Sequence, residues 1–177
     1  MMTNDKNKTI RFAMQFGLYL GLYMILKFAT FVLSANSPFF SYISLALLTG
    51  APFLLFWMLR TFRDQQNEGV LSFANAWNLS ILLIFFASLI EAITQYVYFQ
   101  FINPEFISTQ IAQATQVLET LNETQQSGQV HELVESFKKA DIPSPIQMAV
   151  QGIFNNIFVG SIAALIVAAA VKRNPNH

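Results

Sequence analysis

From Phe12 to Ala35 the chain is apolar at nearly every position, and the same pattern returns over Phe39–Leu59, Phe73–Ile102 and Ile146–Val171. A bilayer core about 30 Å thick takes roughly 20 helical residues at ~1.5 Å each. These stretches therefore predict four membrane spans, over 12–34, 39–59, 73–101 and 146–171. Ser37-Pro38 predicts a short turn between the first two, and Pro52 a kink within the second. Arg60–Leu71 is polar, contains Gly69 and is expected to be a loop. The third span is long enough to tilt or to project beyond the bilayer. The first run is too long for a cleaved signal peptide and carries Lys27, so it is expected to be retained as a helix. The fold class is all-α: a four-helix transmembrane bundle in one integral domain.

The connection 103–145 is long for a structureless loop, and its pattern is helical. Asn103 is placed to cap a helix with Pro104 at its first position and Glu105 in its first turn. Ile107, Ile111, Ala114, Leu118 and Leu121 then recur at helical spacing, ending near Ser127-Gly128. Val130, Leu133, Val134 and Phe137 make a second short amphipathic piece, stopped by Ile142-Pro143-Ser144-Pro145. The expectation is an outer amphipathic helical hairpin between spans three and four, packed on the bundle or lying in the headgroups. A lid or partner-docking surface is the sharper alternative.

Composition narrows the function. Of 177 residues, 54% are hydrophobic and 11% charged; eighteen are Phe, and mean hydropathy is +0.43. One soluble core of this size cannot hide that much apolar surface, so the bilayer itself is the first partner. Net charge is zero, which gives no basic field for nucleic acid. Cysteine is absent, and the only histidines are His131 and His177, so thiol chemistry and a metal centre are not expected. No nucleophile–base arrangement or phosphate-cradling loop is evident either, and the chain is expected to be no enzyme and to need no cofactor. Glu119, Glu123, Glu132, Glu135 and Asp141 are better explained as a solvated face than as an acid pair. The basic residues of short flanks set orientation. Lys6, Lys8, Arg11, Arg60, Arg63, Lys172 and Arg173 all fall on one side of a four-span topology. Both termini are therefore expected in the cytoplasm, with the spans in a bacterial inner membrane.

Two ionisable residues interrupt the oil. Lys27 lies in span one and Glu91 in span three, each about 6 Å beyond its span's midpoint on the outer side at ~1.5 Å per residue. Asn155 and Asn156 of span four reach a similar depth. Ser80, Ile84, Ala87, Ser88, Glu91, Gln95 and Tyr98 share one side of a helix, while Leu82, Phe85, Phe86, Leu89 and Ile93 occupy the side expected to meet lipid. Lys27, Glu91, Gln95, Asn155 and Asn156 thus form a candidate intramembrane polar layer. Three readings are open: a buried ion pair that fixes helix neighbours, a carboxylate that loads and unloads a proton or cation, or a lysine that snorkels along its own helix.

Small residues mark the packing seams. Ala13, Gly17 and Gly21 recur every four residues in span one; Gly152, Asn156, Gly160, Ala164 and Ala168 do so in span four. Such stripes let helices approach closely in lipid. Packing within one chain is the first use, and a homodimer the second. The many Phe, Tyr and Trp side chains are expected at lipid-facing or interfacial positions.

Two motifs remain. Arg63-Asp64 followed by Gly69-x-x-Ser72-Phe73-x-x-Ala76 leads into span three. Tyr96-x-Tyr98-Phe99-x-Phe101-Ile102-Asn103-Pro104-Glu105-Phe106 closes it. In this order, and with this span plan, the chain resembles the bacterial membrane proteins grouped as domain-of-unknown-function family 4199, known mainly from the Bacteroidetes. The resemblance covers nearly the whole chain and implies a short four-span architecture. It carries no established activity. It implies as a possible partner a membrane glycosyltransferase of the polyprenyl-phosphate sugar type. Local chemistry also accounts for these residues: Arg63 and Asp64 anchor a loop at the headgroups, Gly69 permits a tight turn, Ser72 caps span three, and the aromatics belong to an interfacial belt.

Overall fold

The computed structural model describes residues 2–125, 135–136 and 142–173. Among these the fold is all-α, with helices α1 (Met2–Ser34), α2 (Pro38–Gln66), α3 (Phe73–Val97), α4 (Phe106–Gln125) and α5 (Pro145–Val171), and no strand beyond one isolated bridge. A π-helical turn, Tyr98–Ile102, continues α3. Four segments are long and apolar enough to cross a membrane: Asn7–Ser34, Pro38–Gln66, Phe73–Ile102 and Pro145–Val171. The second amphipathic piece expected through Val130, Leu133, Val134 and Phe137 lies outside the described residues.

The end of α2 and the start of α4 differ from the sequence reading, each for a local reason. The helix α2 does not stop at Leu59 but runs through Arg60–Gln66, because Phe62 is buried against Phe12, with ring centroids 4.9 Å apart. It ends where Glu68 (φ 52°) and Gly69 (φ 77°) turn left-handed, the conformation glycine adopts without steric cost. Asn103 does not cap α4: its amide donates to the Tyr98 carbonyl at 2.8 Å, closing the π turn, and α4 begins at Phe106. A reciprocal cap forms instead at the start of α5, in Ser144-Pro145-Ile146-Gln147. The Gln147 amide donates to Ser144 Oγ at 3.4 Å, and the Ser144 amide to Gln147 Oε1 at 2.8 Å. That reciprocal pair is the capping box.

Two compact units are resolved, Met1–Thr94 with Ala149–His177, and Gln95–Met148. In the first, α3 is the central helix. Half of its most apolar window is buried, against 6% for α2. The backbone of α1 lies on α3 through glycines: a Cβ at Gly17 would stand 2.7 Å from Phe86 Cβ, and one at Gly21 would stand 3.0 Å from Ile90 Cβ. Gly160 of α5 meets Ile84 in the same way, at 2.9 Å from Cδ1. Phe86, placed by its helical side among the lipid-facing residues, therefore packs on α1. Gly152 is half-buried and Ala164 fully buried. Not all aromatics face lipid: Phe12 and Phe62 sit in the core, while Trp57 is exposed. The helix α2 packs on α1, where Tyr23 Oη donates to the Leu47 carbonyl at 2.5 Å.

In the second unit the π turn is locked by rings. Tyr98 and Phe99 both lie against Phe106, at 5.8 and 6.0 Å between centroids, and Asn103 Nδ2 donates to Tyr98 Oη at 3.4 Å.

Candidate functional site

Glu91 is held in the C-terminal half of α3 by the register that also buries Ser80, Ile84, Ala87 and Ser88 on one face. The two serines satisfy themselves, donating to the Ala76 and Ile84 carbonyls at 2.8 and 2.7 Å. Glu91 cannot do this, because a carboxylate only accepts. Its two oxygens go to two different helices. Lys27 Nζ of α1 lies 3.4 Å from Oε1, and Asn156 Nδ2 of α5 donates to Oε2 at 2.6 Å. Glu91 is 2% exposed and Lys27 22%. Asn155, one residue away, faces outward and is exposed. Gln95, one turn further along α3, is half-buried and belongs to the other unit.

Chemically the layer is a neutral pair plus a carboxamide. No buried side-chain nitrogen or oxygen among the described residues lacks a partner, so the desolvation cost of the carboxylate is offset by two directed contacts. Among the described residues no three His, Cys, Asp or Glu side chains are grouped to hold a metal ion.

Beside this layer a crevice of about 380 Å³ opens between α2 and α5. Leu48 and Pro52 form one wall, Val159 and Ala163 the other, and Tyr23, Lys27, Thr49 and Asn156 contribute its polar side chains. A second cavity, about 450 Å³, lies at the end of the bundle carrying the start of α1, lined by Lys8, Gln66, Asn67, Asn75 and Asn78.

The first motif builds a clasp at that end. Arg63 forks onto its neighbour Asp64, with Nε to Oδ1 at 2.7 Å and Nη2 to Oδ2 at 3.3 Å. Its Nη1 donates to the Val171 carbonyl at 3.0 Å, satisfying an acceptor left open at the end of α5. Leu71 and Arg173 then exchange two backbone hydrogen bonds, 2.9 and 2.8 Å. Ser72 Oγ accepts from the Asn75 amide at 3.3 Å at the start of α3, while Phe73 is exposed and Ala76 buried. Arg63 therefore lies on α2 rather than in a loop, and joins it to α5. The long-range partner, a main-chain carbonyl 108 residues away, carries no side-chain signal in the sequence.

The model of a protein family described as protein of unknown function (DUF4199) matches residues 15–173. The chain belongs to the DUF4199 family. The match takes in both residues of the ion pair, the asparagine that completes it and the clasp up to Arg173, so the layer and its fastening lie within the DUF4199 region. Neither a curated protein nor a solved structure matches this DUF4199 chain.

Proposed function

We propose that the chain is a small, non-catalytic, multi-pass protein of a bacterial inner membrane, with both termini cytoplasmic, acting as an accessory partner of a membrane complex. The observation that carries this reading is the saturation of Glu91. With both oxygens engaged and 2% exposure, the carboxylate acts as a three-helix fastener. A proton- or cation-coupled transporter subunit using Glu91 is the second reading; it requires a carboxylate that sheds one of these contacts in each cycle. The orientation rests on the basic residues around the clasp.

The partner we propose is a membrane glycosyltransferase acting on lipid-linked sugars, with envelope assembly as the setting. Co-purification from the native membrane in mild detergent tests it. A reproducible glycosyltransferase partner supports the reading, and a chain that elutes alone or only as a homodimer overturns it. Reporter fusions after Lys172 and within 122–128 test orientation: cytoplasmic activity is expected at the first site and external activity at the second.

A further inference from the structure

The crevice between α2 and α5 has a chemistry the accessory reading does not use. At ~1.5 Å per residue, Lys27 lies about 10 Å in from the end of α1 at Ser34, and Asn156 about 16 Å in from the start of α5 at Pro145. The cavity therefore lies within the hydrocarbon layer, and its guest arrives dissolved in the bilayer. Its walls are apolar, as a hydrocarbon chain requires.

The polar end is asymmetric. Lys27 and Asn156 line the crevice, whereas Glu91 does not. An ammonium has three N–H donors, and the ion pair at 3.4 Å engages one carboxylate oxygen. A guest at this end thus meets the ammonium of Lys27 and the carboxamide of Asn156, with the Tyr23 and Thr49 hydroxyls already donated to main-chain carbonyls, and no carboxylate. The pair is neutral as a unit, so an anion gains no net charge by entering. A neutral acceptor, a carbonyl oxygen, gains a hydrogen bond at no such cost.

We propose that this crevice binds a membrane-dissolved carbonyl compound carrying a hydrocarbon chain, of the prenylated-quinone class, with a ring carbonyl accepting from Lys27. Depth selects this class over bilayer glycerolipids. Their ester carbonyls are fixed at the edge of the hydrocarbon core, roughly 15 Å from its centre, too shallow for a lysine held inward by Glu91. A quinone ring is free to dissolve to the required depth. The proposal concerns binding alone and holds whether or not the chain has a protein partner.

The test is calorimetric titration of the purified full chain in mild detergent with decylubiquinone, using decylbenzene as the carbonyl-free comparator. Decylubiquinone is expected to bind saturably and at least tenfold more tightly than decylbenzene. Ala163→Phe, which fills the crevice, is expected to weaken it at least tenfold at unchanged melting temperature, and Ala51→Leu provides a milder filling should Ala163→Phe misfold. The double variant Lys27→Met/Glu91→Gln is expected to erase the preference for the quinone. Equal binding of the two probes would show a chain-filling groove with no carbonyl recognition and overturn the proposal. So would the absence of saturable binding, or full affinity in a correctly folded crevice-filled variant.

Discussion

Removing either half of the buried pair should not cost the same, and the difference follows from exposure. At 3.4 Å and an effective dielectric of about 20, the attraction between Lys27 and Glu91 is roughly 5 kcal/mol before desolvation is counted. Lys27→Met leaves a carboxylate sealed at 2% exposure with only Asn156 for company. Stranding a buried charge costs about 3–5 kcal/mol. Glu91→Gln leaves the more accessible member, and its ammonium has a crevice to turn into. The new carboxamide also keeps an oxygen for Asn156, so the expected cost is about 1–2 kcal/mol. The double variant strands no charge and should lie within about 1 kcal/mol of the parent, giving a coupling of at least ~3 kcal/mol. Reversible unfolding in mixed micelles at increasing dodecyl sulfate fraction, followed by far-ultraviolet circular dichroism, measures all four corners of the cycle. Additivity within ~0.5 kcal/mol, or a Glu91→Gln variant less stable than Lys27→Met, would refute the three-helix fastener.

Gly17→Ala should destabilise by about 1–3 kcal/mol, since its Cβ meets the Cβ of Phe86, which cannot swing away. Gly160→Ala meets the flexible end of Ile84 and should cost less, a ranking readable in melting temperatures. Arg63→Lys removes the fork that holds both Asp64 and the Val171 carbonyl; a loss of about 1–2 kcal/mol is expected in the same unfolding assay. Ser144→Ala breaks the capping box and should cost about 1 kcal/mol, with faster amide exchange in the first turn of α5 as its local signature.

The spans and the charged layer were legible because both depend on features one residue type announces: long apolar runs, and a charge where none belongs. Which asparagine completes the layer was legible only through a second pattern: the stripe Gly152, Asn156, Gly160, Ala164 and Ala168 puts Asn156, and not Asn155, on the face that packs on Ile84 and reaches Glu91. The extension of α2 to Gln66 was hidden by the polarity of Arg60–Gln66, since polar residues favour helix as readily as loop once Phe62 finds Phe12. Asn103-Pro104-Glu105 carries strong start signals, yet the Asn103 amide was drawn into the π turn. The cap of α5, by contrast, was there to be found: Ser-x-x-Gln ahead of an apolar run is its signature.

The clasp between Leu71 and Arg173 has a mechanical consequence. It pins the start of α3 to the end of α5, so relative tilting of these helices pivots there. Glu91 stands 20 residues from Leu71, a lever arm of about 30 Å at ~1.5 Å per residue. Over that arm a two-degree tilt displaces Glu91 by about 1 Å, enough to pull the 2.6 Å bond from Asn156 out of hydrogen-bonding range. The charged layer therefore works as a second rivet far from the first, and the two together turn a hinged pair of helices into a fixed one.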